Sequence, residues 1–483
     1  MSKADEGLVR WGEILNAKYA LPLALVCLGV WLHAADELLL ATMMPAMVGE
    51  IGGAELVSWN LALYEIGSIA AGAASGLMAT RFGLRLPMAA AAALFGVGCS
   101  ISALAPSMQV VLAGRLFQGV GGGGLTALAF VAVGLLFPRR LLARAMGALS
   151  ALWGVSAFLG PLVGGLFVEY GTWRGGFWFF AAQALALCLW ILFSFRGREQ
   201  ARPTEAAGGA FPALRLALLS AGVLAIAFAG INVSPGRTPL LVVAGLLCLA
   251  VFLAIDARRG ANRLLPHPVI SFRDPVGAGL TMVFFLSSAT IAVVIYGPLL
   301  LTALHGISAL TAGYVVACSS IGWTITAIAV SGMPERHDPL IIGCGVTMLV
   351  ASIPGFVWSV PAGPVWLVAV FAFMEGGGFG LAWTFILRRM TTLAADGENA
   401  RVSGAIPTVQ RIGYAVGAAY IGIVTNAAGF AEARGAAETA HVARVLFLSC
   451  LPLALVGLAA AVRFITVRTK AGTGATEPSP ADP

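Results

Sequence analysis

The stretch QVVLAGRLFQGVGGGGLTALAFVAVGLL, residues 109–136, carries a single charge, Arg115. About 20 apolar residues are enough for a helix to cross the hydrocarbon layer of a bilayer. The stretch therefore reads as a membrane span. Its glycines, costly in a water-exposed helix, suit a span because they let a neighbouring backbone approach. Thirteen further stretches read the same way, at about 19–43, 57–79, 86–105, 146–168, 175–195, 213–232, 239–256, 275–302, 309–332, 339–360, 365–388, 403–427 and 443–466. The expected class is an all-α membrane protein of 14 transmembrane helices.

Composition agrees. The chain of 483 residues is 59% hydrophobic and 11% charged, with a mean hydropathy of +0.91. Soluble domains carry about 25% charged residues, and disordered chains need low hydrophobicity with high net charge. Both classes are excluded. Residues 1–18 read as a short cytoplasmic lead-in and 469–483, rich in Pro, Ser and Gly, as a disordered cytoplasmic tail. Asp5, Glu6 and Glu13 interrupt the basic start, and no A-x-A site follows a short apolar core, so no cleavable leader is expected.

The net charge of +7 would suggest nucleic acid in a soluble protein. In a membrane protein it reflects basic cytoplasmic loops. With both termini inside, 23 of the 29 Lys and Arg fall on the inner side and 4 on the outer side, while Arg115 and Arg411 lie within spans. An odd number of spans would scramble that alternation. Three Lys against 26 Arg fit a GC-rich bacterial genome, so the expected location is the bacterial cytoplasmic membrane. The seven cysteines are never closer than 26 residues, which argues against a disulfide framework or metal cluster. Met43 to Met47, MMPAM, raise soft-metal ligation beside His33 but read as apolar filler. No metal or cofactor is expected.

Ionisable side chains inside spans are costly and mark function by default. They are His33, Asp36 and Glu37 in the first span, Glu65 in the second, Arg115 in the fourth, Glu375 in the twelfth and Arg411 in the thirteenth. At 1.5 Å per residue, Asp36, Glu65, Arg115 and Glu375 lie about 9–15 Å below the outer end. They can meet around one cavity. A carboxylate whose dielectric and neighbours change can load a proton on one side and release it on the other. Asp36, with Arg115 as modulator, is the leading proton-coupling candidate, followed by Glu65, Glu375 and a relaying His33. Interhelical polar contacts remain the competing reading of Glu65 and Glu375, and a satisfied core histidine that of His33. Glu37 points about 100° from Asp36, off the wall that Asp36 faces. It enters as a substrate-binding candidate with Trp31, Trp59, Gln118 and Trp383; Trp323 offers a further aromatic surface. Arg411, in the inner half, reads as snorkelling toward the inner surface.

Several segments stand at fixed places relative to these spans. They are ADELLLATMMP (35–45), GLMATRFGLRL (76–86), LAGRLFQGVGGGG (112–124), GVSAFLGPLVGG (154–165), WRGGFWF (173–179) and SGAIPTVQRIGYAVG (403–417). Together they resemble the major facilitator superfamily, in particular its 14-helix drug:proton antiporter branch. The resemblance covers nearly the whole chain. It implies two pseudo-symmetric six-helix bundles, 19–195 and 275–466, plus two extra central helices at 213–256. It implies a proton-handling Asp36 and a proton-coupling Arg115. Gly76, Arg81, Gly83 and Arg85 match the cytoplasmic gating loop, but its usual Asp is Thr80. SGMPERHD (331–338) is a weak second copy, with Glu335 and Arg336. Gly160, Pro161, Gly164 and Gly165 match the exporter motif that controls cavity closure.

No P-loop, GxSxG or HExxH is present, so an enzyme is not expected and the proton gradient is the available energy source. The expected function is proton-coupled export of small amphipathic compounds, cationic or neutral, by alternating access. The expected partners are a small-molecule substrate, protons and the lipid bilayer, with no nucleic acid and a monomer as the working unit. A proton-driven importer and a non-transporting membrane sensor are the rivals.

Overall fold

The computed structural model describes residues 11–16, 18–138, 141–194, 212–260, 263–395, 398–433 and 435–467. Most of the lead-in, the tail 469–483 and the loop charges Lys3, Arg10, Arg139, Arg140, Arg196, Arg198, Arg202, Arg434, Arg468 and Lys470 lie outside the described residues.

Fourteen long helices follow in order. They are α1 (Ala20–Ile51), α2 (Trp59–Phe82), α3 (Arg85–Ala103), α4 (Met108–Leu136), α5 (Leu142–Tyr170), α6 (Trp173–Ser194) and α7 (Ala213–Ala229), then α8 (Arg237–Ala257), α9 (Pro275–His305), α10 (Ala309–Val330), α11 (Asp338–Ala362), α12 (Val365–Leu393), α13 (Asn399–Ala427) and α14 (Ala436–Thr466). No strand occurs among the described residues. Among the described residues, twelve helices are long and apolar enough to cross a membrane. The other two are α7, which has only 17 residues, and α13, whose apolar character is diluted by residues such as Gln410, Arg411 and Asn426.

Local chemistry sets several helix starts. Asp274 accepts a hydrogen bond from the Gly277 amide, with Pro275 opening α9. Ser308 caps α10 through the Thr311 amide. Gly83 turns the chain between α2 and α3 at φ +71°, a conformation that a Cβ disfavours.

Small residues then set how closely the helices pack. A Cβ at Gly119 of α4 would sit 2.1 Å from the Tyr64 carbonyl oxygen of α2. One at Gly376 of α12 would sit 1.7 Å from the Ser319 carbonyl oxygen of α10. No real Cβ tolerates either distance, so these crossings require glycine.

Among α1–α6, α4 packs on α1, α2 and α3, while α1 packs on α5 and α3 on α6. Among α9–α14, α12 packs on α10 and α11, while α14 packs on α9 and α11. The two sets meet through α5 with α10, α2 with α13 and α1 with α9 and α10. α7 and α8 pair with each other, and α7 rests on α13 and α2.

Ties between the sets are tight at the end that carries residues 52–58. Asn426 Nδ2 donates to the carbonyls of Glu55 (2.8 Å) and Gly230 (3.0 Å). Gly422 lies against the Ser58 hydroxyl, and Gly313 against Thr42 and Pro161. Toward the opposite end, Gly72, Gly76 and Gly404 have open space around them.

Candidate functional site

The site is built on the glycines of α4. Gly122 leaves room for Tyr64 Oη and His33 Nδ1, which a Cβ would approach to 2.7 and 3.0 Å. Gly123 likewise admits the Ser68 backbone. Side chains from α1 and α2 can therefore lie over α4, with Arg115 held among them.

Asp36 and Arg115 are both fully buried. Arg115 Nη1 donates to Asp36 Oδ2 and to Gln118 Oε1, and Gln118 passes the chain on to Ser102 Oγ at 3.0 Å. The Arg115 guanidinium also lies over the Tyr64 ring, 4.3 Å from its centroid, a cation–π contact strengthened by desolvation. Tyr64 Oη meets His33 Nδ1 at 2.7 Å. His33 Nε2 meets Arg411 Nη2 at 2.8 Å. A guanidinium only donates, so Nε2 is the acceptor. His33 is then a neutral ring with its proton on Nδ1, donated to Tyr64 Oη.

Arg411 arrives from the second set of helices. Its Nη1 also donates to Glu65 Oε2 at 3.2 Å and to Ser68 Oγ at 2.8 Å. The Glu65 and Glu37 carboxyls are close enough to feel each other's charge. Glu37, Asn60 and Arg115 form the polar wall of a cavity of about 30 Å³ whose other walls include Leu40, Met44, Leu61 and Val294. Asp36 Oδ1, Asn60 Oδ1 and Arg115 Nη2 are buried without a protein partner. A cavity of that size has room for a water.

The structure thus brings His33, Asp36, Glu37, Glu65, Arg115 and Gln118 together. One placement, that of Arg411, differs from the sequence reading. Glu37 faces the cavity because α2, carrying Glu65, lies on its side of α1. Arg411 does not snorkel to the inner surface. α13 begins at Asn399, four residues before the sequence signal, which puts Arg411 about 18 Å into its helix and at the level of Glu65.

Glu375 stands apart. It is 3% exposed, with Oε2 unpartnered, in electrostatic range of Tyr414 and Cys450. Tyr414 is also in electrostatic range of Glu37 and Glu65, and so lies between Glu375 and the cluster. Equal depth did not fix azimuth: α12 packs on α10 and α11 in the other set of helices. Trp31 donates to Gln183 Oε1 at 3.0 Å and stacks on Phe180, tying α1 to α6. Trp59 packs edge-on against Phe228 of α7. Neither reaches the cluster. Trp383 lies 5.6 Å from Trp323, which stacks on Phe379, in a separate aromatic patch. Sequence reasoning missed Tyr64, Asn60 and Ser68 as members. It also missed Trp153, edge-on to His33 at 5.9 Å and 39% exposed. Tyr64 beside Glu65 was the one available signal.

The gating segments are placed as follows. Gly160 and Gly164 of α5 fit against the backbone of α1, while Gly165 meets Leu310 and Pro161 meets Gly313, both of α10. Arg85 donates to the Leu192 carbonyl at 2.6 Å. Arg81 lies over Phe82, beside Gly83 and one turn beyond Gly76. In the second loop, the ion pair is Asp338 with Arg388, not the adjacent Glu335 and Arg336. Among the described residues, no group of three or more His, Cys, Asp or Glu is placed to hold a metal.

The sequence profile of the major facilitator superfamily matches residues 26–418. A probable multidrug-efflux transporter of Mycobacterium tuberculosis (strain H37Rv) is 30% identical over 465 residues, covering 93% of this chain and 95% of that one. A multidrug transporter protein of Bacillus subtilis, MdtP, is 24% identical over 323 residues, covering 65% of this chain and 58% of that one. Among solved structures, a bacterial homolog of the human lysosomal transporter Spinster, inward-facing and occupied, is similar with a TM-score of 0.64. The identity is 14%, with 93% of this chain and 96% of that chain covered. The chain belongs to the major facilitator superfamily, and is a multi-pass membrane transporter rather than an enzyme.

Proposed function

We propose that this member of the major facilitator superfamily exports small amphipathic compounds, cationic or neutral, in exchange for protons. The observation that carries this reading is the buried Asp36–Arg115 pair, joined through Tyr64 and His33 to Arg411 of the opposite helix set. A fully desolvated ion pair is a poor device for stability. It is a good device for proton handling, because one proton on the carboxylate removes the attraction that fixes the guanidinium. The relatives named as multidrug-efflux transporters support the export direction.

In this reading all fourteen helices cross a bacterial cytoplasmic membrane, with both termini inside. α1–α6 and α9–α14 are the two moving bundles, and α7 with α8 is a peripheral pair. The sealed end at residues 52–58 is the outer one, which makes the conformation inward-open. Substrate arrives from the cytoplasm near Trp153, Glu37 and Glu65. Gly160, Pro161, Gly164 and Gly165 seal the outer side by close fit. The arriving substrate frees the Arg411 tie between the bundles, and the inner side closes as the outer side parts. Protons entering from outside then neutralise the carboxylates and release substrate, and the protonated site returns inward. The protein works as a monomer, since every part of the cycle lies within one chain.

The test is uptake by sealed inverted vesicles carrying the protein. Lipophilic cations should collapse an imposed proton gradient with wild type and not with Asp36→Asn. A proton-driven importer would instead deplete the same compounds from the vesicle interior. A sensor would move none, and Asp36→Asn would be silent.

A further inference from the structure

We propose that Arg411 is a built-in competitor for the positive charge of the substrate, occupying the Glu37–Glu65 site until a lipophilic monocation displaces it. The inference rests on the export reading above and deepens it.

Three observations carry it. First, Arg411 is a guest in the site. Its three partners, His33, Glu65 and Ser68, all lie on α1 and α2, while Arg411 itself is on α13. Second, it covers the carboxylate. Its side chain is 22% exposed, whereas Glu65 beneath it is 2% exposed. A cation approaching from the open side meets Arg411 before it meets Glu65. Third, polar atoms are left over in the same cluster. Asp36 Oδ1, Asn60 Oδ1 and Arg115 Nη2 are buried and unpartnered, and Asn60 and Arg115 line the adjoining cavity with Glu37.

Charge counting sets the ligand class. Asp36 and Arg115 cancel. Two neighbouring buried carboxyls do not both ionise readily, and one proton between them relieves the like-charge repulsion. Glu37 and Glu65 together then carry one negative charge, which Arg411 balances. Exchanging Arg411 for another monocation keeps the site neutral, so Coulomb attraction barely discriminates between the two. Apolar surface does. Leu40, Met44, Leu61 and Val294 wall the cavity, and Trp153 stands half-open beside His33. A cation that brings apolar area gains burial that a bare guanidinium cannot. Small hydrophilic cations gain nothing over Arg411 and are refused.

The experiment is equilibrium binding of ethidium to the purified full-length protein, read by fluorescence anisotropy. Apparent affinity scales with the fraction of protein whose site is free. If Arg411 occupies the site about nine-tenths of the time, Arg411→Gln should bind ethidium about tenfold more tightly than wild type. Arg411→Lys should stay close to wild type, and Glu65→Gln should lose binding. In Arg411→Ala, which leaves a guanidinium-sized space, millimolar methylguanidinium should displace ethidium. It should not do so in wild type. This second variant serves if Arg411→Gln does not fold. Wild type binding ethidium while the neutral variants bind no more tightly and methylguanidinium has no effect overturns the competitor role alone. No ethidium binding by any form overturns both this inference and the cation-export reading on which it rests.

Discussion

Arg411 and Glu65 are 346 positions apart in the chain, and their side chains meet at 3.2 Å. One sits on α13, the other on α2, so this ion pair ties the two sets of helices together at mid-depth. A tie of this kind cannot survive a motion that separates the sets at that level. Its partners are ionisable, which makes the tie sensitive to protons. In the proposed cycle, that couples a chemical event to a mechanical one.

The Asp36–Arg115 pair should behave as a unit. Asp36→Asn leaves Arg115 buried without its counter-charge, and removing one partner of a buried pair costs about 3–5 kcal/mol. Thermal unfolding in detergent should show a large loss. The double variant Asp36→Asn/Arg115→Gln should recover part of that loss while transport stays absent. Additive losses in that cycle would mean the two residues are not coupled.

Helix approach at the site should depend on single hydrogens. Gly119→Ala forces a methyl group against the Tyr64 carbonyl and should cost about 1–3 kcal/mol through overpacking. Gly134→Ala, on the same helix with nothing within 4 Å, should be neutral or slightly stabilising. Thermal stability of the two variants, measured side by side, checks this.

Much of the architecture was legible because charges are rare in this chain. A lone charge, Arg115, in a 28-residue stretch marked both a span and a candidate site, and the glycines after it marked a close crossing. The membrane class and the family followed from such local patterns. What escaped was azimuth. Depth along a helix can be counted from sequence, but the direction a side chain takes depends on which helix lies beside it. Glu375 was expected beside the cluster and sits on α12, which packs on α10 and α11, with Tyr414 in electrostatic range of it and of Glu65. Trp31 and Trp59 were plausible by residue type and turned to α6 and α7. Arg411 was misread because its helix starts four residues earlier than its apolar signal, the polar Asn399 and Arg401 having masked the first turn.

The contact between α5 and α10 should be crosslinkable. A Cβ at Gly154 would lie 3.4 Å from Thr324 Oγ1, so side chains at the two positions touch. In a background cleared of the seven native thiols, Gly154→Cys/Thr324→Cys should crosslink on oxidation and stop transport, with recovery on reduction. Undiminished transport by the crosslinked protein would mean that α5 and α10 do not part there.

Acid should loosen the junction before α13. Arg263 and Arg401 both reach Glu398, and their hydrogen bonds hold its carboxyl below the ordinary value of 4.5. A folded-state pKa lowered in this way adds stability above the unfolded value and loses it as pH falls through the folded one. Glu398 therefore contributes fully at neutral pH, and its contribution fades below about pH 4.5. Stability of Glu398→Gln should fall less steeply than that of wild type over that acid range.

The most direct measurement is proton movement in sealed inverted vesicles driven by ethidium, comparing wild type, Asp36→Asn and Glu65→Gln at matched protein levels. The account predicts that ethidium discharges the gradient with wild type and with neither variant. Equal discharge by all three would contradict it, because the carboxylates tied to Arg115 and Arg411 would then have no part in coupling.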